Sequence, residues 1–429
     1  MKFVDLFAGL GGFHSGMSSA GFECVFASEL DPELRELYEF NHGLRVWGDI
    51  RKVRENNIPE HDVLCAGFPC QPFSLAGSKK GTECPISGRL IDEVLRIAKH
   101  RRPEFLILEN VPNVLTIANG SFWQYINTAF EQLGYKLIHK IISPEDVGIP
   151  QNRRRLFIVG SLNHDLLESF EWPKLRNRKS LLDILDDSLP HKVIEPMKRA
   201  QLMKWQQLLS TCNLLEEMPS LSISAQEFGA TYPIDFSNLT IEDLRGYKGA
   251  YGKNLCDCRT WNDVLSKMPS YCRKTKQVPR WLIKSVDYSR NIYRGNIKFL
   301  DEWCKDFDKQ HNSWQTLEWR GYKTKRLLRD HLLQFRASGI RVMKPRKAPS
   351  LIAMTATQVP IIGWEMRYMS KYEAAKLQNL HGLTKIPSND FHAFKAFGNA
   401  VNAKIVELIA LNIKRIKLNR SVQGVCYDK

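Results

Sequence analysis

Short, continuous apolar runs recur along the first 160 residues, each closed by a polar or glycine-rich turn. KFVDLFA (2–8), ECVFASE (23–29), RVWGD (45–49), HDVLCAG (61–67) and PEFLILEN (103–110) have the length and composition of buried strands. Helical patterns or connections separate them. Strands apolar on both faces and alternating with helices predict βαβ units in an α/β, doubly wound, mostly parallel sheet. YKLIHKIIS (135–143) and RRLFIVGS (154–161) follow with one loop between them, which predicts an antiparallel pair at the sheet edge. From about 172 to 345 the pattern is irregular and without repeats. APSLIAMT (348–355) and NAVNAKIVELIALNIKRI (399–416) look core-forming again, the latter with Val401, Ile405, Leu408, Ile409 and Ile413 at helical spacing. The chain therefore divides into 1–171, a smaller irregular domain over 172–345, and a return to the first domain over 346–429 ending in a helix.

The polar residues interrupting this pattern gather at one kind of place. FAGLGG (7–12) follows the first strand, Glu29 ends the second, Asp49 ends the third, Cys70 in GFPCQPFS (67–74) follows the fourth, and Glu109 ends the fifth. Ligands bind at the carboxyl ends of the strands in parallel sheets, so one cleft would collect all five. Each has a plainer reading. FAGLGG can be a tight strand-to-helix turn, as it lacks the full G-x-G-x-x-G pattern, and Asp49 can cap the next helix. A lone cysteine is commonly a small buried apolar residue. Three features go further. Glu29 lies 20 residues after Gly9, the spacing of an acid that binds a ribose, which favours an adenosine-containing cofactor. Pro69 and Pro72 stiffen the turn that aims Cys70. Glu109 directly follows a buried strand, where a carboxylate is costly unless paired or given a task.

Composition narrows the setting. Ten cysteines at irregular spacing, no signal peptide and no apolar run near 18 residues predict a reducing, cytoplasmic environment without disulfides or membrane spans. Cys256, Cys258, Cys272 and Cys304 do not have a usual zinc spacing, so no metal is expected. Charge is concentrated. Residues 251–350 hold 23 Lys plus Arg against 9 Asp plus Glu, an excess of 14 out of a formal net +16, together with five of the ten tryptophans. A solvated basic face is the plain reading; an aromatic-rich folded segment carrying such a surplus favours nucleic acid as partner.

FVDLFAGLGG, GFPCQPFS, ENV, QNRRRLFIVG and FGNAVN stand in the order and spacing of the cytosine-5 DNA methyltransferase family, and the chain resembles a bacterial restriction-modification member over about 1–160 and 340–415. The middle matches only as that family's variable target-recognition segment. The resemblance implies S-adenosylmethionine (S-adenosyl-L-methionine) as cofactor, with Gly9, Leu10 and Gly11 beneath it. Glu29 would hold its ribose and Asp49 would lie near its adenine amino group. Phe7, Leu30, Ile50, Pro69, Leu90, Asn399 and Ala400 would complete the pocket. It further implies that Cys70 attacks C6 of a cytosine swung out of double-stranded DNA, that Glu109 acts on N3, and that Arg153 and Arg155 lie beside the site, with Arg155 holding the base. A monomer acting on the bacterial nucleoid is expected, with any cognate restriction endonuclease acting separately. Three departures stand out: ECPISGRL (83–90), carrying Ser87 and Arg89, where the family has an acid, then Arg-Gly, then Leu; Tyr372 where Arg is usual; and Asn402 where proline is common. Two other readings are an RNA methyltransferase, since one branch of the family modifies tRNA, and a DNA-binding protein without activity.

Overall fold

A computed structural model describes residues 1–69, 90–174, 179–212, 214–351 and 358–425. The chain separates into two compact units, one of residues 1–189, 346–356 and 371–429 and the other of 190–345 and 357–370.

The first unit is built on a seven-stranded sheet. Its strands are β1 (Lys2–Leu6), β2 (Glu23–Ser28), β3 (Val46–Trp47), β4 (Val63–Ala66), β5 (Phe105–Asn110), β6 (Lys136–Ile142) and, after the short β7 (Gln151–Asn152) outside this sheet, β8 (Arg155–Ser161). The order is β3-β2-β1-β4-β5-β8-β6. Pairings from β3 through β5 are parallel, whereas β8 runs antiparallel to both β5 and β6. The sheet is thus doubly wound and mostly parallel, as the apolar runs predict. Because the chain leaves β1 toward β2 and returns through β4, the crevice between the carboxyl ends of β1 and β4 is the topological switch point.

Consecutive strand residues face opposite sides, and both sides are covered. Phe3, Val63, Cys65, Ile107 and Val159 pack with Phe13 and Met17 of α1 (Gly12–Ser19) and with Ile405, Ile409 and Ile413 of the C-terminal helix Ala403–Val425. Val4, Leu6, Leu64, Leu106 and Leu108 pack instead with Ile91, Val94 and Ile97 of α3 (Leu90–Arg101), and with Ile126 and Phe130 of α4 (Ser121–Gln132). Between α1 and α3 in sequence, α2 (Pro32–His42) starts at Asp31, whose carboxylate accepts from the Glu33 and Leu34 amides. Burying each of those three C-terminal isoleucines contributes about 1.5–3 kcal/mol, so the C-terminal segment is integral to this unit. Its approach to α1 is close: a Cβ at Gly16 would lie 2.5 Å from the Ala403 carbonyl oxygen and 2.6 Å from Val406 Cβ.

Several sequence expectations need correction. Strand 45–49 shrinks to two residues because Asp49 caps the 3₁₀ turn Ile50–Lys52, accepting from the Arg51 amide at 3.1 Å. The 399–416 run is not one helix. A helix ends at Asn399, the backbone extends through Ala400, and Asn402 starts the next. Asn402 donates to the Leu377 carbonyl at 3.0 Å and accepts from the Ile405 amide, so it both caps the helix and ties down the turn where proline could do neither. Within 348–355 only Ala348–Pro349 forms a strand among the described residues, paired with β7 rather than with the main sheet. The first boundary falls at 189/190 rather than 171/172, because Leu181 and Ile184 are buried and Leu181 donates its amide to the Arg346 carbonyl. Residues 357–370 join the second unit because Ile361–Ile362 and Arg367–Tyr368 extend its six-stranded sheet.

In that second unit the tryptophans are divided. Trp303 and Trp319 are buried, while Trp281 is 77% exposed. Cys258 and Cys272 pack in an apolar cluster with Leu255, Val264 and Met268. Among the described residues no helix is long and apolar enough to cross a membrane.

Candidate active site

The turn after β1 is held in a conformation that its sequence makes possible. Phe7, Gly9 and Gly11 all have positive φ, at 57°, 57° and 83°. Glycine bears this without strain, whereas a bulky aromatic in this region is rare and marks an over-determined site. Gly11 has a second constraint, since a Cβ there would fall 2.3 Å from His42 Nε2; one at Gly12 would fall 2.3 Å from the Val401 carbonyl oxygen. At Gly9 a Cβ would meet nothing within 4 Å, so this face of the turn is open.

Glu29, at the end of β2, reaches across to this turn. Its Oε2 accepts from the Gly9 amide at 2.8 Å and its Oε1 from the Asp31 amide at 2.9 Å. The 20-residue spacing is thereby realised as a direct contact. Asp49 is forked onto Arg51, with Nε–Oδ1 at 2.8 Å and Nη2–Oδ2 at 2.6 Å, and this pairing holds its carboxyl below the usual carboxylate range. Leu30 is 63% exposed beside Glu29, Pro69 and Asn399 are exposed, and Phe7 and Leu90 are half-buried. Leu10, Ile50 and Ala400 are buried, so they can offer a ligand little beyond backbone.

The strand ends of β4 and β5 form a second cluster. Glu109 is buried, and its Oε1 lies 3.1 Å from Arg155 Nε. Burial pushes the Glu109 carboxyl up, against the opposing pull of Arg155 and Arg153. Gly67 sits between this carboxyl and the Asn399–Asn402 turn: a Cβ there would meet Val401 Cγ2 at 3.1 Å and Glu109 Oε2 at 3.9 Å. Arg153 lies near this carboxyl with its side chain in the interior. It is 2% exposed, donates from Nη2 to the Ala400 carbonyl at 3.1 Å, and has Nη1 buried without a partner among the described residues. Burial, reinforced by the neighbouring Arg155, brings its guanidinium down to about 9. Arg155 keeps an accessible side, with 20% of its side chain exposed. Cys70, Ser87 and Arg89 lie outside the described residues.

Sequence reasoning missed two supports. Asn110, the residue after Glu109, donates to the Phe68 carbonyl at 3.0 Å and accepts from the Val111 amide at 2.8 Å. It thereby fixes the chain two residues before Cys70. The second is Asp5, fully buried in the VDL of the first strand, whose Oδ2 accepts the Tyr38 hydroxyl at 3.2 Å. His14 Nδ1 shares the Tyr38 hydroxyl at 2.8 Å, and His14 stacks on His42 with ring centroids 4.0 Å apart. Burial, aided by His42, lowers His14 to about 3, so both its nitrogen and the ring stack brace the glycine turn from below in neutral form. A charged residue inside an apolar strand run was the available signal for Asp5.

The chain is 38% identical over 204 residues to the Type II methyltransferase M.MspI of Moraxella sp., covering 47% of this chain and 49% of that one. With M.HhaI of Haemophilus parahaemolyticus it is 38% identical over 198 residues, covering 46% and 60%. With M.HaeII of Haemophilus aegyptius it is 35% identical over 255 residues, covering 58% and 79%. The chain thus spans about half the length of M.MspI and three fifths of that of M.HhaI. An E. coli structure described as a prophage-encoded DNA modification methyltransferase superposes with a TM-score of 0.54 at 17% identity, over 98% of this chain and 99% of that one, a likeness of fold alone. The model of the C-5 cytosine-specific DNA methylase family matches residues 1–415, and the chain belongs to that family.

Proposed function

We propose that this protein transfers a methyl group to C5 of cytosine in a specific short sequence of double-stranded DNA. The observation that carries the reading is the buried Glu109, with its carboxyl pushed up at the end of β5 and an arginine on one oxygen, on a sheet whose family membership is shown. A carboxyl whose pKa is raised keeps its proton to higher pH and in that form can donate to N3 of a cytosine, and Arg155 can hold the same base from its accessible side. Drawing electrons toward N3 makes C6 electrophilic, which is what a thiolate nucleophile from Cys70 requires. The resulting bond between sulfur and C6 leaves C5 an enamine carbon able to accept a methyl group. Loss of the C5 proton and expulsion of the thiolate then restore the ring. The base must leave the helix stack to be reached, at a cost of a few kcal/mol.

S-adenosylmethionine, when bound, supplies the electrophilic methyl. The open face at Gly9 and the carboxylates of Glu29 and Asp49 fit such a group: Glu29 faces the glycine turn as a ribose acceptor would, and Asp49 retains lone pairs for an adenine amino group. The second unit selects the DNA sequence, supported by the charge surplus in residues 251–350 and by the absence from that segment of any residue assigned to cofactor or chemistry. Host protection beside a separately acting endonuclease is the biological setting that this activity and the Type II relatives favour. The test is nucleoside mass spectrometry with bisulfite sequencing of DNA from cells expressing the protein. 5-Methylcytosine at one recurring short sequence supports the reading, and unmodified DNA from cells that contain folded protein refutes it.

A further inference from the structure

Part of the basic content of the second unit is paired with carboxylates of the same unit. Lys323 pairs with Glu217, Lys305 with Glu302, and Arg341 and Arg336 with Glu318; Arg290 is buried against Glu227. Other cations of the unit have no such pair among the described residues, and one acid-free run of them contains an exposed indole. Residues 271–284, YCRKTKQVPRWLIK, contain five Lys or Arg and no acid. Lys274, Arg280 and Lys284 are basic side chains at the surface of this stretch, and neither they nor Lys276 have a carboxylate partner among the described residues. In their midst stands Trp281, the most exposed large apolar side chain described, with no ring partner among the described residues.

The stretch is anchored rather than loose. Val278 is buried and donates its amide to the Ile234 carbonyl at 2.7 Å, Phe236 donates to the Lys276 carbonyl at 3.0 Å, and Cys272 lies in the core. Lys276 is fixed over the Trp261 ring, 3.5 Å from its centroid. Pro279 then leads into the 3₁₀ turn Arg280–Leu282 and the helix Ile283–Gly295, with Leu282 and Ile283 packed on the core cluster. An indole left exposed between anchored neighbours, and flanked in sequence by cations without carboxylate partners, forgoes burial in its own fold. Such a group suits a surface that is both anionic and able to stack.

Resting on the reading that this protein modifies DNA, we propose that residues 273–284 are a docking strip for duplex DNA. Lys274, Arg280 and Lys284 contact phosphates, and Trp281 wedges against bases or sugars at an opened step. Apolar wedges of this kind work by unstacking a base step beside basic anchors, which separates the two contributions experimentally. The full chain is titrated with a fluorescein-labelled mixed-sequence duplex at several salt concentrations. Simultaneous replacement of Lys274, Arg280 and Lys284 by alanine should flatten the slope of log affinity against log salt by about 0.9 for each phosphate no longer neutralised. Trp281→Ala should weaken binding at least tenfold while leaving the slope unchanged, and Trp281→Phe should restore most of it. Unaltered melting temperatures identify the variants as folded. Wild-type affinity and slope in both variants would overturn the strip even if the protein makes 5-methylcytosine. Loss of DNA binding in the variants of a chain that makes none would leave the strip standing and remove the methyltransferase reading. Equal affinity for single-stranded RNA, abolished in the same variants, would overturn the assignment to duplex DNA.

Discussion

Replacing Arg153 by methionine isolates what a buried guanidinium does behind the catalytic carboxyl. Methionine approximates the volume of the stem without its charge, so the core packing around a 2% exposed side chain is largely kept. Two interactions go. The Ala400 carbonyl, itself on a buried residue, is deprived of its donor at 3.1 Å, and a buried acceptor left without a partner costs about 1–3 kcal/mol. Relief from burying a charge offsets part of this, so the net loss of stability should be about 1–2 kcal/mol. The second effect is electrostatic. Arg153 pulls the Glu109 carboxyl down against its burial, and its removal raises that carboxyl further. If the proton on Glu109 serves the reaction, activity is lost as pH rises through the Glu109 pKa, so Arg153→Met must move the alkaline limb of the rate profile upward. Single-turnover methyl transfer across pH, with urea denaturation of the same variant, measures both. A limb that stays in place or moves downward refutes the placement of Arg153 beside the working carboxyl. Stability equal to wild type refutes the bond to Ala400 as a contributor.

The other expectations address the supports of each cluster. Asn110→Ala releases the Phe68 carbonyl and should lower the single-turnover rate about 10- to 100-fold, the scale of a displaced catalytic group, with cofactor affinity by calorimetry little changed. Glu29→Gln and Asp49→Ala should each weaken S-adenosylmethionine binding by about 1.5–3 kcal/mol, the worth of a charged hydrogen bond, in calorimetric titration. His14, lowered to about 3 in the fold, is neutral there while the unfolded chain takes up a proton near 6.5. Stability should therefore fall as pH drops below about 6.5, by up to about 1.4 kcal/mol per pH unit from this group, and His14→Asn should flatten that slope in denaturant titrations.

Which parts of the molecule are legible in the residues alone follows from which forces are local. The strands of the first unit are legible because a parallel sheet covered on both faces demands continuous apolar runs, and Val63–Ala66 and Phe105–Asn110 supply them. The Glu29–Gly9 contact is legible because adjacent parallel strands bring their carboxyl ends together. What stays hidden is set by long-range packing. Nothing in FGNAVN announces that Asn402 starts a helix while bonding the Leu377 carbonyl, 25 positions away. Nothing in QNRRR distinguishes Arg153, turned inward to Ala400, from Arg155, which keeps an accessible side. Likewise the composition of 251–350 reveals its charge, but only the ion pairs show which cations remain unspent.

The proposed chemistry stands or falls on whether sulfur of Cys70 bonds to cytosine. The most direct measurement incubates the protein and S-adenosylmethionine with mixed-sequence duplex DNA in which every cytosine is 5-fluorocytosine, so that the target is present in trapping form whichever short sequence it is. Fluorine cannot leave C5 as a proton does, so the enzyme should remain attached to DNA through denaturing electrophoresis, and peptide mass spectrometry should place the bond at Cys70, with no adduct from Cys70→Ala. An adduct that persists in Cys70→Ala, or none from a wild-type protein that binds both cofactor and DNA, would contradict the account.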